Sequence, residues 1–180
     1  EESNIQKNVR NFCGNELRTT VVERNRKNEF DKDLYPKFGS LGVLGQTVKT
    51  HGGSGTSNLA YGLVAYEFEK IDSSYRSSIS VQSSLVIHPI SEFGSKEQKD
   101  KYLPELIKGE KIGCFGLTES EAGSDPASMK TTFKKTKDGY ILNGSKNWIT
   151  NAPIADIFII WAIEEGKDHK SIRGFILEKN

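Results

Sequence analysis

The residue pattern changes near residue 112, and this change limits the possible folds more than any other feature. Before it, apolar residues recur at three- and four-residue intervals, as on one face of an α-helix. After it, short apolar runs alternate with turn dipeptides such as Asp138-Gly139 and Asn143-Gly144, which are typical of β-hairpins. The sequence therefore predicts an α+β chain, with an all-helical domain at residues 1–112 and part of an antiparallel β domain at residues 113–180.

Three stretches of the first part carry the helical signal. An exposed helix is expected within residues 1–35, where apolar positions are scattered among polar ones. A second helix should present one apolar face that extends from Leu59 to Tyr75. The serine-rich residues 77–87 are expected to form a buried helix, because small side chains allow helices to approach one another closely.

Charge and composition exclude several classes of function. The 25 basic and 24 acidic residues nearly cancel, and the basic ones do not cluster, so nucleic acid is not an expected partner. The longest apolar run, residues 157–163, is far shorter than the about 20 residues of a membrane-spanning helix, so no transmembrane segment is expected. Cys13, Cys114 and the three histidines lack the spacing of metal ligands, and no metal site is expected.

Two segments of the second part carry the most specific signal. Each has an ordinary alternative, namely a surface turn and a core aromatic residue, but their order and spacing favour a shared role. The segments are Phe115-Gly116-Leu117-Thr118-Glu119-Ser120-Glu121-Ala122-Gly123-Ser124-Asp125 and Trp148-Ile149-Thr150. They resemble the flavin signature and the Trp-Ile-Thr signature of the acyl-CoA dehydrogenases.

The resemblance implies FAD as the cofactor, bound by residues 115–124 and 148–150. An isoalloxazine ring requires hydrogen-bond partners along its polar edge and a flat apolar wall, which a strand end and a tryptophan supply together. The glycines Gly116 and Gly123 would let the backbone approach a ligand. By the same resemblance, Thr150 would offer its hydroxyl to the flavin nitrogen that receives hydride, and Ser124 would contact both cofactor and substrate.

Further segments resemble the glutaryl-CoA dehydrogenases in particular, among them Asp72-Ser73-Ser74-Tyr75-Arg76-Ser77 and His88-Pro89-Ile90. In that branch of the family the arginine binds the distal carboxylate of the substrate, which implies substrate contacts for Arg76 and Ser77. A guanidinium can bind a carboxylate through two hydrogen bonds. Glu69, seven residues before Arg76, would orient it or tune the electrostatics of the pocket, and the alternative for Glu69 is a solvated charge on a helix. The alternative for Arg76 is an ordinary solvent-exposed arginine.

The resemblance also implies features of the whole protein. A C-terminal four-helix bundle, which these residues do not include, would carry the glutamate that acts as base, so no catalytic residue is assigned here. The expected activity is α,β-dehydrogenation of glutaryl-CoA, usually with decarboxylation to crotonyl-CoA. Electrons would pass to electron-transfer flavoprotein. A homotetramer in the mitochondrial matrix, or alternatively in a bacterial cytoplasm, is expected.

Two other functions remain open at this point. The first is another acyl-CoA dehydrogenase or an acyl-CoA oxidase, which would take uncharged acyl chains and leave Arg76 without a carboxylate to bind. The second is a truncated, non-catalytic relative that serves as a structural subunit of a larger complex. A substrate screen distinguishes the first from a glutaryl-CoA dehydrogenase.

Overall fold

The computed structural model describes residues 1–179. The chain divides into two compact units, of which the first is Glu1–Ile112 and the second begins at Gly113. The division falls where the residue pattern changes. The first unit is helical and the second contains the strands, so the predicted order of helices followed by β structure is confirmed.

The first unit consists of helices joined by loops. Two π-helical segments extend the α-helices, Cys13–Leu17 after α1 and Val81–Ile87 between α5 and α6, so α5 and α6 belong to one continuous helical stretch. The α-helices are α1 (Glu2–Phe12), α2 (Val21–Lys27), α3 (Leu34–Ser40), α4 (Asn58–Glu69), α5 (Ser73–Ser80), α6 (His88–Phe93) and α7 (Lys96–Lys108).

An aromatic cluster forms the centre of the helical unit. The Phe38 ring packs edge-on against Phe68 at a centroid distance of 5.4 Å and against Phe12 at 6.0 Å. Edge-to-face contact is a preferred geometry for aromatic pairs, and each fully buried large side chain contributes about 1.5–3 kcal/mol. Val9 and Leu17, in the first helical stretch, are buried as well. The expectation of one exposed helix in this stretch is therefore wrong, because it contains several helices and has a buried face.

The sequence predicted one helix with a continuous apolar face from Leu59 to Tyr75, but the structure has a break between α4 and α5. The helix α4 ends at Glu69, and Asp72 caps α5 because its Oδ1 accepts a hydrogen bond of 2.8 Å from the Ser74 N–H. A side-chain acceptor at this position satisfies a donor at the start of a helix and favours a new helix over continuation. Leu59, at the start of the expected face, is 64% exposed, whereas Tyr75 is buried.

Local signals for the other helix ends agree with the structure. The buried helix expected at residues 77–87 is present, with Ile79 and Gln82 among its buried side chains. Ser95 and Gln98 form the capping box that their spacing predicts. The helix α7 ends at Gly109, which has φ +73°, and a Cβ there would lie 2.1 Å from the Tyr35 carbonyl oxygen. Only glycine fits this position.

The second unit is built on a central strand. The strands are β1 (Gly113–Gly116), β2 (Thr132–Thr136), β3 (Gly139–Asn143), β4 (Ile157–Glu164) and β5 (Arg173–Glu178). The strand β4 pairs parallel with β1 and β2 and antiparallel with β5, and β2 pairs antiparallel with β3. The sheet is therefore mixed and not purely antiparallel as expected. A two-residue turn forces the strands that it joins to pair antiparallel, as in β2 and β3. The connections that follow β1 and β3 are longer, so they also allow parallel pairing.

The two predicted hairpin turns have different outcomes. A hairpin turn joins β2 to β3 as predicted, but its two turn residues are Lys137 and Asp138, because Gly139 (φ +143°) already pairs with Thr136 as the first residue of β3. Asn143-Gly144 is not a hairpin turn, because β3 ends at Asn143 and a loop follows up to β4. Glycine is nevertheless required, since a Cβ on Gly144 would lie 2.6 Å from the Cα of Thr131.

Three features of residues 1–179 concern membrane insertion, metal binding and thiol reactivity. No described helix has the length and apolar character needed to cross a membrane. No group of three or more His, Cys, Asp or Glu side chains in this part could hold a metal ion. Cys13 and Cys114 are free and buried, and burial raises the pKa of each thiol to about 12, so neither is a thiolate at neutral pH.

Candidate functional site

The loop after β1 is shaped by a tight turn. The N–H of Glu119 donates to the carbonyl of Ala122 at 3.1 Å, and the N–H of Ala122 donates to the carbonyl of Glu119 at 3.2 Å. Ser120 and Glu121 lie at the exposed tip of this turn. Asp125 ends the segment, where its Oδ1 accepts a hydrogen bond of 3.2 Å from the Ala127 N–H and caps a 3-10 turn. Its carboxylate therefore has a local structural role.

The carboxylate of Glu119 is buried beneath this loop. It accepts hydrogen bonds from the Lys130 N–H at 2.6 Å, the Thr131 N–H at 3.0 Å and the Lys146 ammonium at 2.7 Å. Burial alone raises the pKa of the Glu119 carboxyl, but the hydrogen bonds from Lys146, Thr131 and Lys130 outweigh it and lower the pKa to about 2. Glu119, which the sequence grouped with the cofactor-binding residues, thus directs its side chain to its own domain.

The Trp-Ile-Thr segment lies against this loop. Lys146 also donates to the Leu117 carbonyl at 3.0 Å, and the Asn147 N–H donates to the Thr118 carbonyl at 2.9 Å. On the far side, Asn151 Nδ2 donates to the carbonyl of Gly113 at 3.1 Å. Bonds at both ends therefore fix residues 148–150, and the two segments that the sequence singled out are neighbours.

The exposed groups of these segments have a common chemistry. Trp148 is 88% exposed and has φ +58°, an unusual backbone conformation for a bulky residue. Ser124 and Thr150 are exposed, and their hydroxyls have no hydrogen-bond partner within residues 1–179. An open aromatic face with uncommitted hydroxyls in the adjoining segments fits a flat ring system that has a polar edge. The residues present therefore fit an isoalloxazine.

Some residues of these two segments are explained by packing within the second unit and do not require a ligand. A Cβ on Gly116 would lie 2.5 Å from Ile160 Cδ1, so packing inside the sheet already favours glycine there. A Cβ on Gly123 would meet nothing within 4 Å. The Phe115 ring packs edge-on against Trp161 at a centroid distance of 5.9 Å. Of the two glycines expected to admit a ligand, only Gly123 lacks an explanation within the described residues.

The second candidate group lies in the helical unit, at the start of α5. Arg76 Nε donates to Glu69 Oε2 at 2.7 Å, and the Ser73 hydroxyl donates to Glu69 Oε1 at 2.6 Å. The hydrogen bonds from Ser73 and Arg76 lower the pKa of the Glu69 carboxyl. The Arg76 side chain is 38% exposed, and its Nη1 and Nη2 have no hydrogen-bond partner among the described residues. Glu69 therefore anchors the guanidinium and leaves its two terminal nitrogens free.

The structure distributes the predicted residues over both units. Arg76 and the half-buried Ser77 belong to the helical unit, whereas Ser124 belongs to the second unit.

The sequence analysis did not identify Lys146 or Asn151. A lysine in a single sequence predicts a surface position, so nothing indicated the burial of Lys146. Asn151 has φ +71°, and the tolerance of asparagine for this conformation is only a weak signal.

A helical unit followed by a mixed β unit that presents such a loop and tryptophan segment defines a class of flavin-associated dehydrogenase domains. Two family models match the chain, "Acyl-CoA dehydrogenase, N-terminal domain" over residues 1–110 and "Acyl-CoA dehydrogenase, middle domain" over residues 114–180. The chain belongs to the acyl-CoA dehydrogenase family.

Known relatives cover several acyl-CoA substrates. The short-chain specific acyl-CoA dehydrogenase of Megasphaera elsdenii is 39% identical over 98% of this chain and 48% of its own length. The mitochondrial isovaleryl-CoA dehydrogenase of Pongo abelii is 38% identical over 99% of this chain and 44% of its own length. A crystal structure of a glutaryl-CoA dehydrogenase from Mycobacterium smegmatis in complex with FADH2 is 41% identical, with a TM-score of 0.94, over 98% of this chain and 45% of that one. This chain therefore spans about half the length of its relatives.

Proposed function

We propose that this chain supplies the FAD-binding loop and part of the substrate site of a flavin-dependent acyl-CoA dehydrogenase that acts on glutaryl-CoA. The observation that carries the substrate assignment is the Arg76 guanidinium, which Glu69 anchors through Nε while Nη1 and Nη2 stay free. Bound FAD would supply the oxidation by accepting hydride from the β carbon of the substrate. The base that removes the α proton is not assigned to any residue of this chain.

The cofactor would be held by residues 115–124, which form the end of β1 and the loop after it, and by residues 148–150. The exposed ring of Trp148 would form the flat wall, and the exposed Thr150 hydroxyl would donate to the flavin ring. Ser124 would contact both the cofactor and the acyl thioester end of the substrate. Support comes from the crystallised glutaryl-CoA dehydrogenase relative, which was solved with FADH2.

The substrate end would be recognised in the helical unit. Two parallel hydrogen bonds from Nη1 and Nη2 of Arg76 fit a carboxylate, and such charge-assisted pairs are roughly twice as strong as neutral ones. Ser77, the next residue in α5, would add a hydroxyl. Glutaryl-CoA has a distal carboxylate, whereas butyryl-CoA and isovaleryl-CoA do not. The free ends of Arg76 therefore favour glutaryl-CoA.

The second candidate is a short-chain acyl-CoA dehydrogenase for uncharged substrates. It is favoured by the identities of 39% and 38% to the short-chain and isovaleryl-CoA enzymes, which are close to the 41% of the glutaryl-CoA enzyme. In that case Arg76 and Glu69 would form only an exposed ion pair, which contributes little to stability.

The same proposal implies an electron acceptor, a product, an oligomeric state and a compartment for the whole protein. Reduced FAD would pass its electrons to electron-transfer flavoprotein, and the glutaconyl product would usually lose carbon dioxide to give crotonyl-CoA. We expect a homotetramer. The relatives include both bacterial and mitochondrial proteins, which supports either a mitochondrial matrix or a bacterial cytoplasm.

The cofactor assignment is tested through Thr150 in the natural protein that contains this sequence. We expect that protein to carry FAD, and Thr150→Ala to alter the flavin absorption spectrum and to slow flavin reduction by acyl-CoA about fivefold, because one neutral hydrogen bond of about 1 kcal/mol is lost. Anaerobic reduction followed by absorbance measures both effects. Thr136→Ala, at the end of β2, is the matched control and should leave both unchanged. An unchanged Thr150→Ala removes that residue from the site, and a natural protein without FAD overturns the proposed function.

A further inference from the structure

The ion pair between Glu119 and Lys146 is unusual for its burial. The two side chains are only 7% and 8% exposed, and the distance between Glu119 Oε1 and Lys146 Nζ is 2.7 Å. A buried ion pair often contributes less to stability than a well-packed apolar pair of similar volume, because both charges must leave water. Stability alone therefore does not account for this pair, and its position in the domain suggests what else it does.

The pair joins three separate segments of the second unit. Lys146 also donates to the Leu117 carbonyl, and Glu119 accepts from the N–H groups of Lys130 and Thr131. Such a network fixes one relative placement of the segments, since any shift would leave a charged group unpaired in a buried place. Trp148, two residues after Lys146, is thereby fixed relative to the loop that begins at Leu117.

The space around Lys146 is equally restricted. A Cβ on Gly116 would lie 3.3 Å from Lys146 Cγ as well as 2.5 Å from Ile160 Cδ1. The absence of a side chain at Gly116 therefore makes room for the aliphatic stem of Lys146. Lysine suits this site because its compact ammonium group can donate in several directions at the end of a narrow stem.

We propose that Glu119 and Lys146 are a positioning pair, which sets the register between the residue 117–124 loop and residues 148–150 and thereby controls FAD affinity. The inference rests on the proposed function, because it concerns the same cofactor site. Neither residue needs to touch the flavin. Their effect would pass through the backbone of Leu117 and Thr118 and through the placement of Trp148.

The test compares the buried ion pair with a second buried carboxylate in the natural protein, Glu67, whose partner Arg10 is 56% exposed. Lys146→Met keeps the aliphatic stem and removes the charge, so we expect the FAD dissociation constant to rise about tenfold or more, as for the loss of one charge-assisted hydrogen bond. At saturating FAD, the absorption spectrum of the bound flavin should also differ from that of the wild type. Glu67→Gln is the matched control, because Glu67 is 2% exposed and bonded to Arg10 at 2.9 Å in the helical unit. It should lower the melting temperature but leave FAD affinity within about twofold.

The outcomes separate this inference from the proposed function. If the wild type binds FAD and Lys146→Met binds it with unchanged affinity and spectrum, the pair is only structural and the inference is wrong, while the proposed function stands. If Lys146→Met does not fold, Glu119→Gln is measured in the same way and must weaken FAD binding more than Glu67→Gln does. If the wild type binds no FAD, both ideas fail together.

Discussion

Replacing Arg76 with glutamine in the natural protein is expected to lower the specificity constant for glutaryl-CoA by about ten- to a hundredfold. A charge-assisted hydrogen bond contributes about 1.5–3 kcal/mol, and the distal carboxylate would lose its partner. Butyryl-CoA has no distal charge, so its specificity constant should stay the same or increase. Steady-state kinetics with both substrates measure the difference.

Arg24→Gln provides the matched control for this substitution. Arg24 is also an arginine of the helical unit paired with a carboxylate, Asp31, at 2.8 Å. Neither specificity constant should change in this variant. If Arg76→Gln impairs both substrates equally, Arg76 supports the fold or the CoA moiety and glutaryl-CoA loses its main support. If it impairs neither, Arg76 is an ordinary surface arginine.

The second large expected effect is the loss of the stability contribution of Glu119 at low pH. Its folded pKa of about 2 lies below the ordinary value of 4.5, so its ionised form favours the folded state above about pH 5. This contribution, on the order of 3 kcal/mol, should decrease as the pH falls from about 5 towards 2. At pH 7, Glu119→Gln should therefore lower the melting temperature of the natural protein by several degrees.

The pH dependence distinguishes this mechanism from general destabilisation. The difference in melting temperature between the wild type and Glu119→Gln should become smaller between about pH 5 and pH 2, because Glu119 itself becomes protonated there. Thermal unfolding at a series of pH values measures it. A difference that stays constant down to pH 2 would show that the charge of Glu119 contributes nothing and that the destabilisation comes from the hydrogen bonds that the amide cannot replace.

The sequence predicted those features that depend on a few adjacent residues. The capping box of Ser95 and Gln98 is present, and the hairpin turn lies one residue before the predicted Asp138-Gly139, because each is formed by the side chains and backbone of neighbouring positions. The break before α5 shows the limit of this approach. Periodicity suggested one apolar face across it, but the cap at Asp72 competes with helix continuation and prevails.

Features that depend on distant residues were not predictable in this way. The parallel pairing of β4 with β1 and β2 depends on how long connections return, which no local pattern specifies. The burial of Lys146 follows from the placement of Glu119, 27 residues earlier in the chain. The sequence predicted the candidate site from the resemblance of residues 115–125 and 148–150 to two family signatures, while Lys146 and Asn151, which fix these segments in place, are identified only by the fold.

The most direct test of the central claim is a comparison of acyl-CoA substrates with the natural protein. Glutaryl-CoA, butyryl-CoA and isovaleryl-CoA are each mixed anaerobically with the protein, and loss of the oxidised flavin absorbance is followed over a range of concentrations. The proposal predicts that glutaryl-CoA reduces the flavin with the highest specificity constant. Reduction by butyryl-CoA or isovaleryl-CoA without reduction by glutaryl-CoA would contradict it.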